Sequence, residues 1–98
     1  MSGLNSRFVP VELSPVVAAT WNPGSIANGA EEVLEVTVTG AQLGDFVDVS
    51  FSLDVQDLAL TAQVTALNTV TVQLLNNTGG AIDLGSGTVR VLVKQVTT

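Results

Sequence analysis

Apolar and polar residues alternate with a period of two along much of this chain, most plainly from Leu58 to Leu75. Leu60, Ala62, Val64 and Ala66 alternate with Thr61, Gln63 and Thr65; after Leu67-Asn68-Thr69 the pattern resumes as Val70, Val72 and Leu74 against Thr71 and Gln73. Residues two apart share one face of a pleated strand, so this spacing predicts two strands with one buried face. The break carries Asn68, a residue type that tolerates left-handed backbone angles and bonds its own main chain, which predicts a tight hairpin. A lone hairpin is marginal in water, so further strands must lie beside it.

The same reading extends along the rest of the chain. Val16 to Trp21 predicts a short strand ending at Asn22-Pro23-Gly24, with Pro and Gly where a type II turn wants them. Ser25 to Ala30 reads as a loop. From Glu31 to Thr39, Leu34, Val36 and Val38 take one face; Val33, Glu35, Thr37 and Thr39 take the other. Gly40 to Asp45 is a turn region. Phe46 to Leu53 predicts a strand with Val47, Val49, Phe51 and Leu53 inward and Asp48, Ser50 and Ser52 outward, and Asp54 to Asp57 turns into the hairpin. Asn76 to Thr88 reads as a Gly-rich crossing that tucks Ile82 and Leu84 beneath it. Val89, Val91 and Val93 then alternate with Arg90, Leu92 and Lys94 in a last strand reaching Val96.

About six strands at roughly 8–12-residue spacing, with no helical period, predict an all-β chain: a single antiparallel β-sandwich or small barrel. The connection after Leu75 is too long for a tight hairpin and points to a jelly-roll or Greek-key crossing. Residues 16–98 form the predicted domain. Residues 1–15, with Pro10 and Pro15 around Val9, Val11 and Leu13, predict an extended N-terminal arm able to carry an edge strand. A disordered tail is the plainer alternative. Phe8 and its apolar neighbours favour docking, and make Arg7, Phe8, Val9, Val11 and Leu13 the candidate partner-binding residues.

Composition narrows the chemistry. The 98 residues make one domain whose core material is chiefly Val, Leu and Ala, with Phe8, Trp21, Phe46 and Phe51 as its only large rings and no His, Cys or Tyr in the chain. No disulfide can staple so small a core, which makes association into an oligomer a reasonable source of added stability. The formal net charge is −6, and Arg7, Arg90 and Lys94 are the only basic residues, so nucleic acid and anionic membrane surfaces are unfavourable partners. The opening MSGLNSRFVPVELSP has no continuous apolar stretch to act as a secretion signal, and the expectation is synthesis in the cytoplasm. Only 12% of residues are charged, about half the usual share. Thr, Ser and Gln dominate the predicted outer faces, a composition suited to meeting other protein surfaces, where charges are costly to desolvate.

Candidate sites mostly resolve into structural roles. Glu31, Glu32 and Glu35 read as a solvated strand entry that discourages edge pairing, with contact to a cation or basic partner as the functional alternative. Asp45, Asp48, Asp54 and Asp57 lack the dense oxygen-ligand loop of a calcium site and read as turn and surface residues. Asn76-Asn77-Thr78 fits a glycosylation acceptor but without a secretion signal is read as a chance match. Gly85-Ser86-Gly87 is no phosphate loop. No His is present to serve as a base and no serine sits in a nucleophile elbow; residue types alone would allow a paired-carboxylate glycosidase, but it usually needs a deep cleft, which a domain this small does not easily form. The expectation is a protein that is not an enzyme, with no cofactor, metal or small-molecule substrate.

Leu43-Gly44-Asp45-Phe46-Val47 and Val49-Ser50-Phe51-Ser52-Leu53 resemble a module that recurs in virion proteins of tailed bacteriophages. The likeness continues through Leu60-Thr61-Ala62, Asn68-Thr69-Val70-Thr71-Val72, Asn77-Thr78-Gly79-Gly80 and Gly87-Thr88-Val89-Arg90-Val91, covering about Trp21 to Lys94. It rests on the order and spacing of these short motifs. Asp57 departs from the pattern, where Gly is expected. The resemblance implies a β-sandwich, often trimeric, with no catalytic residues. It further implies a virion structural protein: a capsid decoration (cement) protein on the outer shell, with the major capsid protein and its own copies as partners, made in the host bacterial cytoplasm. The alternative is a receptor- or carbohydrate-binding module of a head or tail fibre, for which Trp21 is the one aromatic candidate; a scaffolding protein is the third.

Overall fold

The computed structural model describes residues 11–96, and among these the chain is all-β. In place of about six strands there are nine, in three antiparallel sheets. They are β1 (Val11–Leu13), β2 (Val17–Trp21), β3 (Ser25–Ile26), β4 (Glu31–Thr37), β5 (Phe46–Phe51), β6 (Ala59–Ala66), β7 (Thr69–Leu75), β8 (Ile82–Asp83) and β9 (Gly87–Val96). The extra strands β3 and β8 fall in stretches expected to be loop. Two residues are too few to show a period, so nothing in the local pattern marks them.

One larger sheet is built on β9. Val91 pairs with Val17 on one side and Val49 on the other, and Lys94 pairs with Leu13 and Phe46, so β1 and β2 share one edge of β9 and β5 takes the opposite edge. Between Leu13↔Lys94 and Val17↔Val91 the chain advances four residues against three, a β-bulge at Ser14–Val16. Pro15 has no N–H to give the ladder. Ser14 bridges the gap: its N–H donates to the Val93 carbonyl (2.9 Å) and its hydroxyl accepts from the Val93 N–H (3.0 Å). The other larger sheet runs β4-β7-β6, with β6 returning to β7 through the expected hairpin. Asn68 in that turn has φ 64°, and its Oδ1 accepts from the Gly40 N–H at 2.7 Å. Asp57, where the resemblance leads one to expect Gly, has φ 70°.

The two sheets are joined by a ribbon. Trp21 faces Gly87 and Ser25 faces Asp83, four residues on in one strand and four back in the other, so the β2–β9 register carries through the break into β3–β8. From Ile26↔Ile82 to Glu31↔Leu75 the count is five against seven, and the surplus is the loop that starts at Asn76. Asn76 is fully buried (0% exposed) and uses its whole hydrogen-bonding capacity. Its Nδ2 donates to the carbonyls of Ile26 (2.7 Å) and Gly80 (2.8 Å), and its Oδ1 accepts from the Thr78 N–H (2.9 Å) and hydroxyl (2.7 Å). The possible glycosylation acceptor is therefore a buried clasp.

Inward-facing residues of both larger sheets share one core: Val36, Val64, Val70, Val72 and Leu74 from one, Trp21, Val89, Val91 and Val93 from the other. Trp21 meets Phe51 edge to face, ring centroids 6.0 Å apart. Gly87 lies beneath this pair; a Cβ there would sit 2.9 Å from the Phe51 ring and 2.8 Å from Ser52 Oγ. Three expectations need correction. Phe46 is an exposed ring and not core material, and Leu53 and Ala66 lie exposed where the alternation is broken past the end of β5 and at the β6 bulge.

Asn76→Ala is expected to cost about 1–3 kcal/mol, because the buried Ile26 carbonyl loses its side-chain donor and the loop to Gly80 loses the bonds that clasp it. Asn76→Asp should do no better, since it sets an oxygen against two carbonyls. Urea denaturation midpoints check both. Gly87→Ala should destabilise by about 1–3 kcal/mol through overpacking against Phe51, read the same way.

Candidate functional site: the outer face of the β9 sheet

Alternation that buries Val89, Val91 and Val93 must turn Arg90, Leu92 and Lys94 outward. The partners in register take the same face: Phe46 and Leu13 beside Lys94, Asp48 beside Leu92, Ser50 and Ala18 beside Arg90. Val11 and Val16 adjoin them on the β1–β2 edge. Val11, Leu13, Val16 and Phe46 are each between 51% and 62% exposed. Gathered on one face with Leu92, these side chains form an apolar surface of the kind that marks a binding site rather than a scatter of single exposed residues.

A groove of about 260 Å³ crosses this face at the bulge, lined by Val16, Asp48, Val49, Ser50, Arg90, Val91 and Leu92. It adjoins the stretch Ser14–Val16, where Pro15 has no N–H to give the ladder. Lys94 Nζ lies 2.9 Å from Asp48 Oδ2, an exposed pair of small energetic weight. Among the described residues this is the only ion pair, so the exposed Arg90 guanidinium has no carboxylate partner there. Both basic residues of the described chain are thus on this face, although the protein as a whole is strongly acidic.

The outer face of the β4-β7-β6 sheet differs in kind. Thr61, Gln63, Thr65, Thr69, Thr71 and Gln73 cover it, with Thr65 and Thr71 hydroxyls 2.7 Å apart and Gln73 donating to Glu31. Its only charges are Glu31 and Glu35, on the β4 edge either side of the exposed Val33. Among the described residues no three His, Cys, Asp or Glu side chains group to hold a metal ion.

Of the candidate partner-binding residues, Val11 and Leu13 fall on the apolar face, held there by β1 pairing with β9. Arg7, Phe8 and Val9 lie outside the described residues. Sequence reasoning missed Val16, Phe46 and Leu92. For Phe46 the signal was its parity with Asp48 and Ser50, the outward set of β5. Trp21, the candidate for stacking on a sugar, is 7% exposed and belongs to the core. Comparison with protein-family models, curated proteins and solved structures gave no match.

Leu13→Ser and Phe46→Ser are expected to change the unfolding free energy by less than about 1 kcal/mol, since each side chain is more than half exposed. Together they should abolish retention of the folded protein on a weakly hydrophobic column.

Proposed function

We propose that this chain is a structural virion protein of a tailed bacteriophage, a capsid decoration (cement) protein that binds the outer shell as a homotrimer and stabilises it by adhesion without catalysis. We further infer that its two larger sheets are the layers of one jelly-roll-like β-sandwich. The shared core and the ribbon running from β2–β9 through β3–β8 to β4–β7 support that inference. The motif order between Trp21 and Lys94 is the basis for the virion assignment.

The observation that carries the adhesive role is the apolar outer face of the β9 sheet, continuous with β1 and so with the chain leading in from residues 1–10. Large apolar side chains held out on a rigid sheet contribute to binding without being ordered at the moment of contact. The neutral Thr and Gln face on the opposite side is likewise inexpensive to desolvate. The sugar-binding alternative loses its aromatic platform with Trp21 in the core.

The expected outcome is many copies of the chain in purified particles, measured by quantitative mass spectrometry. Saturable binding to particles stripped of the protein, with a higher shell melting temperature, is expected as well. A chain lacking residues 1–10 should fold normally and bind at least tenfold more weakly. Undiminished binding removes the arm from the mechanism, and a full-length chain that ignores its own capsids sinks the proposal.

A further inference from the structure

The two outer faces carry matching stripes. On β9, Arg90, Leu92 and Lys94 stand in line at every second residue: basic, apolar, basic. On β4, Glu31, Val33 and Glu35 stand in line at the same spacing: acidic, apolar, acidic. Four residues of extended chain separate the charges in each case, about 13 Å, so both charges of one stripe can meet both of the other while Leu92 lies on Val33. Val33 is 51% exposed, and Glu35 has no cationic partner among the described residues.

The stripes cannot meet within one molecule. The inner faces of the two sheets share the core, so their outer faces look away from each other. Nor does either stripe suit itself: two β9 stripes face to face would oppose cations, and two β4 stripes would oppose carboxylates. We propose that copies of this chain associate head to tail, the Arg90–Leu92–Lys94 stripe of one copy against the Glu31–Val33–Glu35 stripe of the next. This goes beyond the homotrimer of the preceding reading, since a contact between faces that look away from each other does not by itself close a ring of three.

The consequences follow from that geometry. Leu13, Val16 and Phe46 flank the β9 stripe and extend the contact with apolar area. Thr71 and Gln73 flank the β4 stripe with neutral groups, and among the described residues no cation of the same copy pairs with its carboxylates. Lys94 keeps Asp48 at 2.9 Å, so the arriving glutamate completes a three-charge cluster, whereas Arg90, unpaired among the described residues, gains a carboxylate. A contact between unlike surfaces repeats until it closes into a ring or continues as a filament. It also overcomes the mutual repulsion of chains that each carry a net charge of −6.

Sedimentation equilibrium of the full chain tests the contact. Association is expected at low salt and should weaken at high salt. Arg90→Glu and Glu35→Arg should each raise the dissociation constant at least about tenfold, and the double variant should return within about threefold of the original. Lys94→Glu with Glu31→Arg is the second charge swap, used if either first single variant loses its sheet circular dichroism. A chain that stays monomeric at every concentration overturns the proposal. So do folded single variants that associate as the parent does, or failure of both Arg90→Glu with Glu35→Arg and Arg90→Glu with Glu31→Arg to recover, the two pairings that the equal spacing allows. Loss of capsid binding with the charge swap intact sinks only the virion reading; capsid binding by an oligomer indifferent to the swaps sinks only this contact.

Discussion

The register of β9 is the constraint on which the rest of the molecule depends. On one edge β2 pairs with Gly87–Val91 and β1 with Lys94–Val96, and on the other β5 pairs with Val89–Lys94. Its side chains divide strictly between the core and the outer face. A slip of one residue would bury Arg90 and Lys94 and expose Val89, Val91 and Val93, a change too costly to compete. Three features hold it in place: Gly87 fitted beneath Phe51, the pair of hydrogen bonds between Ser14 and Val93, and the six-residue ladder with β5.

How far this was legible in the sequence depended on strand length and on whether one face was polar. Val70, Val72 and Leu74 could be assigned to the core because Thr71 and Gln73 separate them, and the left-handed turn was visible in Asn68. The short strands β3 and β8 were not, because their pairing is fixed by the ribbon on either side and not by any period of their own. The alternation of Arg90, Leu92 and Lys94 with the three valines of β9 was legible too, but not which strands would lie beside them. The candidate site is assembled from β1, the bulge, β5 and β9, which lie far apart in the chain. Only the register shows that Leu13 and Phe46 flank the same lysine, so Val11 and Leu13 could be suspected but the patch could not. Pro15 signalled a break in pairing; the extra residue it introduces leaves no trace in an alternating count.

The acidic excess of the chain is unevenly placed, and that unevenness gives the fold its polarity. Most carboxylates lie in turns and on the β4 edge, where they deter sheet extension, while the two described cations share the apolar face with Asp48. A domain with little core to spare gains most from contacts that remove apolar area without stranding charge. Leu92 flanked by two cations and Val33 flanked by two carboxylates meet that condition together, and neither meets it alone.

Asn76 ties the route of manufacture to the outcome of folding. Its tripeptide would be read by a eukaryotic secretory pathway while the chain is still emerging and unpaired. A sugar attached to the amide nitrogen at that moment would take a hydrogen that the Ile26 or Gly80 carbonyl needs, and would have to be accommodated where solvent cannot reach. Chains modified in this way could not close the ribbon, so export from such a host would select for unglycosylated molecules.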